Sequence, residues 1–287
     1  MSYLMSILMG LIQGVAEFLP ISSSGHLALF QAFFGVEDVE ANHMLFTVML
    51  HFGTFISVCV VYWRDIVAMI REFFLGIAAL FSRQGGKSAP PPERRLVLLI
   101  IVGTLPLLVM VFLKDYIDQL FVNSIPVSLM LLITGFILFF SDRLSRGRKT
   151  AKNTKLTDGL LIGCAQAVAV IPGISRSGAT ISSGMMLGLN RDFAVRYSFL
   201  LSLPAIVGAN ILELKDALEA ENFAETVVPL LPVYLVGVLV AAVVGYFAIR
   251  LVKSLADKGK FGKFAYYCWA VGAVSLVAGI LKFYVFA

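Results

Sequence analysis

Long apolar runs recur along this sequence and limit what it can fold into. Each is close to the 20 or so apolar residues that an α-helix needs to cross a bilayer. Only 14% of the residues are charged, whereas soluble domains carry about 25%. The sequence therefore predicts an all-α polytopic membrane protein. We expect six transmembrane helices, at 44–62, 96–113, 125–140, 196–212, 227–248 and 264–286.

The charged residues between these runs predict the orientation. Of the 23 Lys and Arg residues, 17 lie in three segments, which are 64–95, 141–157 and 250–263. Three other segments are acidic, namely 35–43, 114–123 and 213–226. The positive-inside rule places the basic set in the cytoplasm, as loops, and the acidic set outside. No basic segment is interleaved with aromatic residues as a nucleic-acid site would be, so no nucleic-acid partner is expected.

Two interrupted segments do not fit a simple count of crossings. Segment 158–190 must enter and leave on the cytoplasmic side, because 196–212 alone accounts for the next crossing. Its two apolar pieces are short and are separated by PGISRSG. The first 35 residues are similar, with PISSSG between two apolar pieces. We therefore predict two re-entrant helical hairpins, 1–35 and 158–190.

These hairpins form an internal repeat. The stretch 22–25 aligns without gaps with 175–178, and Gln13 then aligns with Gln166. A hairpin followed by three spans would occur twice in one membrane domain, over about 1–140 and 158–287, with 141–157 as a cytoplasmic linker. Three spans are an odd number, so the second copy is inverted and both termini lie outside. Interrupted segments of this kind predict a site near the midplane, where the two hairpin tips meet.

The second tip carries a charge at the depth of the membrane. Arg176 lies inside an apolar hairpin, and such charges normally face a cavity or a partner. A helix that begins near Ser175 or Ser177 would point free N–H groups at the same place, which favours an anion. The guanidinium suits phosphate in particular. The alternative is that Arg176 pairs with Glu17 as a structural lock between the two halves.

The first tip carries groups suited to catalysis. Gln13 and Glu17 are four residues apart and share one helix face. Glu17 could bind a hard divalent cation, act as a base or pair with an arginine. The serines at 22–24 could provide a nucleophile or merely cap a second helix. His26 follows Ser23 by three residues, and a Ser–His pair is the minimal activated nucleophile. His51, without a polar neighbour in sequence, is expected to be structural.

Together the tips favour phosphoryl transfer, in which positioning and charge neutralisation carry most of the catalysis. A substrate reached from within the bilayer would be a lipid phosphate or diphosphate. The competing class is an inverted-repeat transporter, either a flippase for a lipid phosphate or a carrier of another anion. A carrier needs no nucleophile, so Ser23 with His26 separates the two classes.

At these residues the sequence resembles the undecaprenyl-diphosphate phosphatase family of the bacitracin-resistance type. The first family motif stands here as Gln13, Glu17, Ser22, Ser23, Ser24, Gly25 and His26. The second stands as Pro172, Gly173, Ser175, Arg176, Ser177, Gly178 and Thr180. The resemblance implies a bacterial inner-membrane enzyme that hydrolyses undecaprenyl diphosphate and so recycles the carrier lipid of cell-wall synthesis. It also implies bacitracin resistance, a divalent cation such as Mg²⁺ or Ca²⁺, and a site that faces the periplasm. The oligomeric state is left open, with a homodimer as one expectation.

The resulting hypothesis gives Ser23 the role of nucleophile and His26 that of its activator or of the acid for the leaving group. Direct attack by water, with His26 as base, is the alternative. Glu17 would hold the metal with Gln13, or assist as acid or base. Arg176 would bind the diphosphate. The other expected substrate-binding residues are Gln13, Ser22, Ser24, Gly25, Gly173, Ser175, Ser177, Gly178 and Thr180.

Overall fold

The protein is described here by a computed structural model, over residues 1–34, 44–81, 91–113, 116, 124–219 and 228–285. These residues form eleven α-helices, with short 3₁₀ turns and one isolated β-bridge between Lys149 and Leu189. The helices are α1 (Tyr3–Ala16), α2 (Ser23–Phe34), α3 (Met44–Val61), α4 (Trp63–Phe81), α5 (Pro92–Val111), α6 (Ser124–Leu144), α7 (Leu156–Val168), α8 (Arg176–Met186), α9 (Arg191–Glu219), α10 (Leu231–Asp257) and α11 (Phe264–Val285). The predicted all-α class is confirmed.

Four stretches in the described part of the chain are long and apolar enough to cross a membrane: Ser124–Leu144, Arg191–Leu212, Val228–Asp257 and Phe261–Lys282. The number becomes five if α3 and α4, which are bent by 86° at residue 62, count as one broken span. The remaining predicted span, 96–113, coincides with α5, a helix of 20 residues. The protein is thus a multi-pass membrane protein, and the exact arrangement of six spans stays a prediction.

The segment 64–95 departs from its expected form. It was expected to be a cytoplasmic loop, but its first part is the 19-residue helix α4. The reason lies in its pattern, since apolar residues recur at helical spacing between the charged ones and give the helix one apolar face. Arg94 at the start of α5 binds Glu72 of α4, with 3.0 Å between Nη2 and Oε2, and so fixes the two helices to each other. Residues 82–90 of this segment lie outside the described part.

The four helices of the predicted hairpins are short. α1 and α2 have 14 and 12 residues, and α7 and α8 have 13 and 11. An α-helix needs about 20 residues to cross the hydrocarbon core, so none of these four helices can cross it alone. Each pair is interrupted where the sequence predicts, at 17–22 and at 169–175. That each pair enters and leaves on one side stays a prediction.

In each half of the chain, the first hairpin helix packs against a helix of the other half. α1 packs most extensively against α10 of the second half, and α7 packs against α5 of the first half. Close approach depends on glycine in both cases. A Cβ on Gly10 would come within 2.6 Å of the carbonyl oxygen of Gly237, and Gly163 lies against the backbone of Gly103. Small residues allow this contact between helices, and the reciprocal packing brings both interruptions to the middle of the protein.

Candidate active site

The first interruption turns the chain through a strained residue. Ser22 has a φ of 72°, in the left-handed region that residues other than glycine seldom adopt. Its hydroxyl accepts a hydrogen bond from the N–H of Gly25 at 3.2 Å, and α2 begins at Ser23. Such conformations cost roughly 1–3 kcal/mol and cluster at functional sites. The strain therefore serves to aim the first turn of α2.

The second interruption is held by a threonine of α6. Thr134 Oγ1 donates to the carbonyl oxygen of Gly173 at 2.9 Å and accepts from the N–H of Ser175 at 3.2 Å. Gly173 has a φ of 93°, a conformation that suits glycine. Ser175 then caps α8, with its hydroxyl accepting from the N–H of Gly178 at 3.1 Å. As a result α8 begins at Arg176, with its positive end at the interruption.

The two tips touch each other, as predicted. A Cβ on Gly25 would lie 3.0 Å from the Cα of Gly173, so only glycine permits this approach without a shift. Ser177 Oγ donates across the same junction to the carbonyl oxygen of Leu19 at 3.2 Å. The first residues of α2 and α8 are thereby fixed relative to each other.

Glu17 lies at the centre of the junction, and its side chain is only 4% exposed. One carboxylate oxygen, Oε1, accepts from Nη2 of Arg176. The other, Oε2, accepts from Ser23 Oγ at 2.9 Å and from Gln13 Nε2 at 3.0 Å. The structure thus brings together four of the residues that the sequence singles out. In this arrangement the carboxylate of Glu17 could take the proton of the Ser23 hydroxyl.

His51 joins this group, although the expectation from the sequence is a structural role for it. Its Nδ1 lies 3.0 Å from Gln13 Nε2 and 3.8 Å from Glu17 Oε2. The carboxylate can only accept, so the nitrogen of the Gln13 amide must face it, and Nδ1 of His51 accepts the second amide hydrogen. His51 is distant in sequence from the other polar residues, so no local pattern could have revealed this contact.

His26 differs from its expected partner. Its Nδ1 bonds to the carbonyl oxygen of Ser22 at 2.8 Å, and its Nε2 bonds to the hydroxyl of Tyr267, also at 2.8 Å. The imidazole ring of His26 is stacked on the ring of Tyr267, with centroids 5.6 Å apart. The expected hydrogen bond between His26 and Ser23 is therefore not formed, because both ring nitrogens are engaged elsewhere and Ser23 donates to Glu17 instead. A catalytic role for His26 stays a prediction.

A cavity of about 690 Å³ opens beside the junction. The expected site residues on its wall are Glu17, Ser22, Ser23, Ser24, Ser175 and Arg176. Most of the remaining wall is apolar and comes from α5 and α9, including Leu107, Leu108, Ile206, Ile211 and Leu212. A polar end beside an apolar wall fits a ligand with a charged head and a hydrocarbon tail.

The other expected residues lie within the described part of the chain but outside the cavity wall. They are Gln13, Gly25, His26, Gly173, Ser177, Gly178 and Thr180. Their polar groups form hydrogen bonds within and around the two tips. Thr180 Oγ1, for example, donates to the carbonyl oxygen of Arg176 at 2.8 Å, inside the first turn of α8. In this structure these residues shape the tips, and their contact with substrate stays a prediction.

The two expected metal ligands, Glu17 and Gln13, fit a hard divalent cation in part. Among the described residues, no group of three or more His, Cys, Asp or Glu could hold a metal ion. Glu17 offers a carboxylate on the cavity wall, and Gln13 Oε1 is a buried acceptor without a hydrogen-bond partner in this part of the chain. Mg²⁺ commonly takes one or two carboxylates and completes its shell with water and substrate phosphates. This donor set fits a cation that arrives with a diphosphate.

Comparisons with known proteins identify the family of this chain. The sequence model of a family described as "Bacitracin resistance protein BacA" matches residues 6–274. The chain belongs to this family. A protein named undecaprenyl-diphosphatase from Methanosphaera stadtmanae is 38% identical over 285 residues, which cover 97% of this chain and 98% of the relative. Proteins of the same name from Halothermothrix orenii and Carboxydothermus hydrogenoformans are 41% and 38% identical, and the matches cover 96% of this chain and 97% of each relative.

Proposed function

We propose that the protein is a membrane phosphatase that hydrolyses undecaprenyl diphosphate to undecaprenyl phosphate and inorganic phosphate. The observation that carries this proposal is the hydrogen bond of 2.9 Å from Ser23 Oγ to Glu17 Oε2 on the wall of the cavity. The apolar wall beyond it suits a prenyl chain. The identity of the lipid, undecaprenyl diphosphate, is taken from the names of the relatives. Recycling of that carrier lipid would account for bacitracin resistance.

In the first step Ser23 Oγ attacks the terminal phosphorus while Glu17 takes the serine proton. A bond from Oγ to phosphorus forms, the bond from phosphorus to the bridging oxygen breaks, and prenyl phosphate leaves. Glu17 then passes this proton to the leaving prenyl phosphate and is a carboxylate again. In the second step water attacks the phosphoserine and gives a proton to Glu17, Glu17 returns that proton to Oγ as the bond from phosphorus to Oγ breaks, and inorganic phosphate is released. General-base catalysis of this kind contributes roughly 10²–10⁴-fold to the rate.

Arg176 neutralises the phosphate charge without abandoning Glu17. Its Nη2 is bonded to Glu17, whereas its Nη1 is buried and has no partner among the described residues. Nη1 can therefore donate to a phosphate oxygen while the ion pair persists. The N-terminus of α8 adds free N–H groups and a partial positive charge at the same place. Preorganised donors of this kind supply most of the stabilisation in phosphoryl transfer.

His26 has a positioning role in this mechanism. Its bond to the carbonyl oxygen of Ser22 and its stacking on Tyr267 hold the strained turn that precedes Ser23. We propose that this contact sets the direction of the Ser23 hydroxyl. Direct attack by water in place of Ser23 predicts no phosphoserine, so trapping of the intermediate separates the two routes.

In the alternative role of Glu17, in which it holds a divalent cation, Mg²⁺ or Ca²⁺, instead of acting as base, Gln13 Oε1 would be a second donor. When bound, the cation would neutralise charge on the diphosphate. Gln13 can serve in this way because its amide nitrogen is already occupied by Glu17 and His51, which leaves the oxygen free.

We propose that the protein lies in the bacterial inner membrane and that the cavity opens to the periplasm. α5 and α9 both begin beside the basic segments and run towards the acidic ones. The cavity is lined by the later parts of these helices, 104–110 on α5 and 204–212 on α9. If the basic segments are cytoplasmic, the cavity extends from the midplane to the outer side.

The test is phosphate release from a prenyl diphosphate by the purified protein, with and without added Mg²⁺ or Ca²⁺. We expect release that depends on the cation and is absent in Ser23→Ala. Failure of the folded wild-type protein to release phosphate with any cation would reject the proposal and favour a carrier of lipid phosphate.

A further inference from the structure

Buried polar side-chain atoms without a hydrogen-bond partner gather around the cavity. In the described part of the chain there are seven such atoms. Four of them belong to residues of the cavity wall, namely Gln166 with two, Arg176 and Asn210. Buried polar groups are nearly always paired in folded proteins, so each exception needs an explanation. Their concentration at one cavity indicates that a polar ligand supplies the missing partners.

Gln166 is the strongest case because its whole amide group is unpaired. The residue is 1% exposed, and neither Oε1 nor Nε2 has a partner among the described residues. Its counterpart in the first repeat, Gln13, uses its amide nitrogen for Glu17 and His51. In the second repeat the position equivalent to Glu17 is Val170, which offers no acceptor. The amide of Gln166 is thus unpaired among the described residues, and the residue lies on the cavity wall.

The position of Gln166 indicates which part of the substrate it meets. It lies near the end of α7, the helix that packs against α5 through Gly163 and Gly103. One turn further along, α5 contributes Leu107 and Leu108 to the apolar wall. Gln166 therefore stands on the side of the cavity that adjoins the expected path of the tail, whereas Ser23 lies on the opposite tip.

We infer that Gln166 is a substrate-binding residue that donates a hydrogen bond to the phosphate retained on the lipid. This inference rests on the proposed function and extends it to the non-reacting phosphate. Because neither end of the amide is bound to a described residue, the group can turn its nitrogen towards a phosphate oxygen without losing a contact to that part of the chain. Arg176 lies on the same wall, and its Nη1 also has no partner among the described residues. This second donor binds the terminal phosphate.

The experiment measures binding of farnesyl phosphate, a prenyl monophosphate, to detergent-solubilised wild type, Gln166→Met and Gln166→Glu. A hydrogen bond to a charged group, when removed, weakens binding roughly ten- to hundred-fold. We expect the Kd to rise by that factor in Gln166→Met and further in Gln166→Glu, because a carboxylate repels phosphate. Binding of inorganic phosphate alone, which lacks the prenyl chain and occupies the terminal site, should be unchanged in Gln166→Met.

Thermal stability separates binding from a structural role. Methionine has a similar length and removes an unpaired buried amide, so the Tm of ligand-free Gln166→Met should be equal to or higher than that of the wild type. A lower Tm would mean that the amide has a structural partner and would overturn the inference, as would an unchanged Kd for farnesyl phosphate. Ser141→Ala is the matched control, because Ser141 is a buried polar residue whose hydroxyl is bonded to Ser182 at 2.9 Å, away from the cavity.

The binding assay does not require turnover, so it distinguishes two failures. If the wild type binds farnesyl phosphate through Gln166 but releases no phosphate from the diphosphate, the proposed hydrolysis fails and the binding role stands. If hydrolysis proceeds and Gln166→Met binds as the wild type does, only the inference about Gln166 fails.

Discussion

Exchanging Glu17 for glutamine removes the one carboxylate that joins Ser23 to Arg176. The amide keeps the size of the side chain but cannot take the serine proton, so kcat should fall by roughly 10²–10⁴-fold. The same change leaves Arg176 as a buried charge without its partner, since its side chain is only 20% exposed. Breaking a buried ion pair on one side costs about 3–5 kcal/mol. Both effects lower measured activity, and they must be separated.

The double variant Glu17→Gln with Arg176→Gln separates them. Removing both charges restores the charge balance, so most of the lost thermal stability should return while kcat stays at the level of the single variant or below. The assay is phosphate release from a prenyl diphosphate at saturating substrate, with Tm measured on the same samples. Asp142→Asn is the matched control, because Asp142 pairs with Arg191 in a similar ion pair remote from the cavity. It should lose stability but keep the kcat of the folded protein.

One result would refute the reasoning. If the double variant regained both stability and activity, the pair of Glu17 and Arg176 would be a structural lock between the two halves. Catalysis would then have to use another base.

The remaining predictions concern neighbours of this pair. Ser23→Ala should lower kcat by more than about 10³-fold, and phosphoserine should be trapped in acid-quenched wild type; full activity in the variant would exclude Ser23 as nucleophile. His51→Ala should lower kcat about ten-fold, because the Gln13 amide loses an acceptor that helps to fix it, while His51→Gln should restore most of it; equal kcat in all three proteins would contradict this role. Gly25→Ala should lower both Tm and kcat, since its Cβ would meet the backbone of Gly173 at 3.0 Å; a wild-type Tm would mean that the tips can separate without cost.

Much of the fold follows from patterns that are local in sequence. Apolar length predicts the spans, and the predicted interruptions PISSSG and PGISRSG overlap the observed helix breaks at 17–22 and 169–175. The helix α4 was not predicted, because its charges were interpreted as a loop although its apolar residues keep a helical period. That error shows the limit of charge counting, which reports the side of the membrane and not the conformation.

The site was predicted as a set of residues but not as a set of contacts. Glu17, Ser23 and Arg176 come together as expected, whereas His26 faces Tyr267, which lies 241 positions away in sequence. His51 likewise reaches Gln13 only through the packing of α3 against α1. Partners that are brought together by packing between distant helices leave no local signal, so spacing alone assigned the histidine next to the serine.

The internal repeat explains why one carboxylate can serve both halves. Ser23 and Arg176 occupy equivalent positions, and each is the first residue of its helix, α2 or α8. They bond to different oxygens of Glu17, Ser23 to Oε2 and Arg176 to Oε1. A second carboxylate at the position of Val170 would place two negative charges where a diphosphate must bind. The chain has Val170 there instead. This difference, together with that between Ser23 and Arg176, would leave the proposed nucleophile with its base on one tip and the proposed anion site on the other.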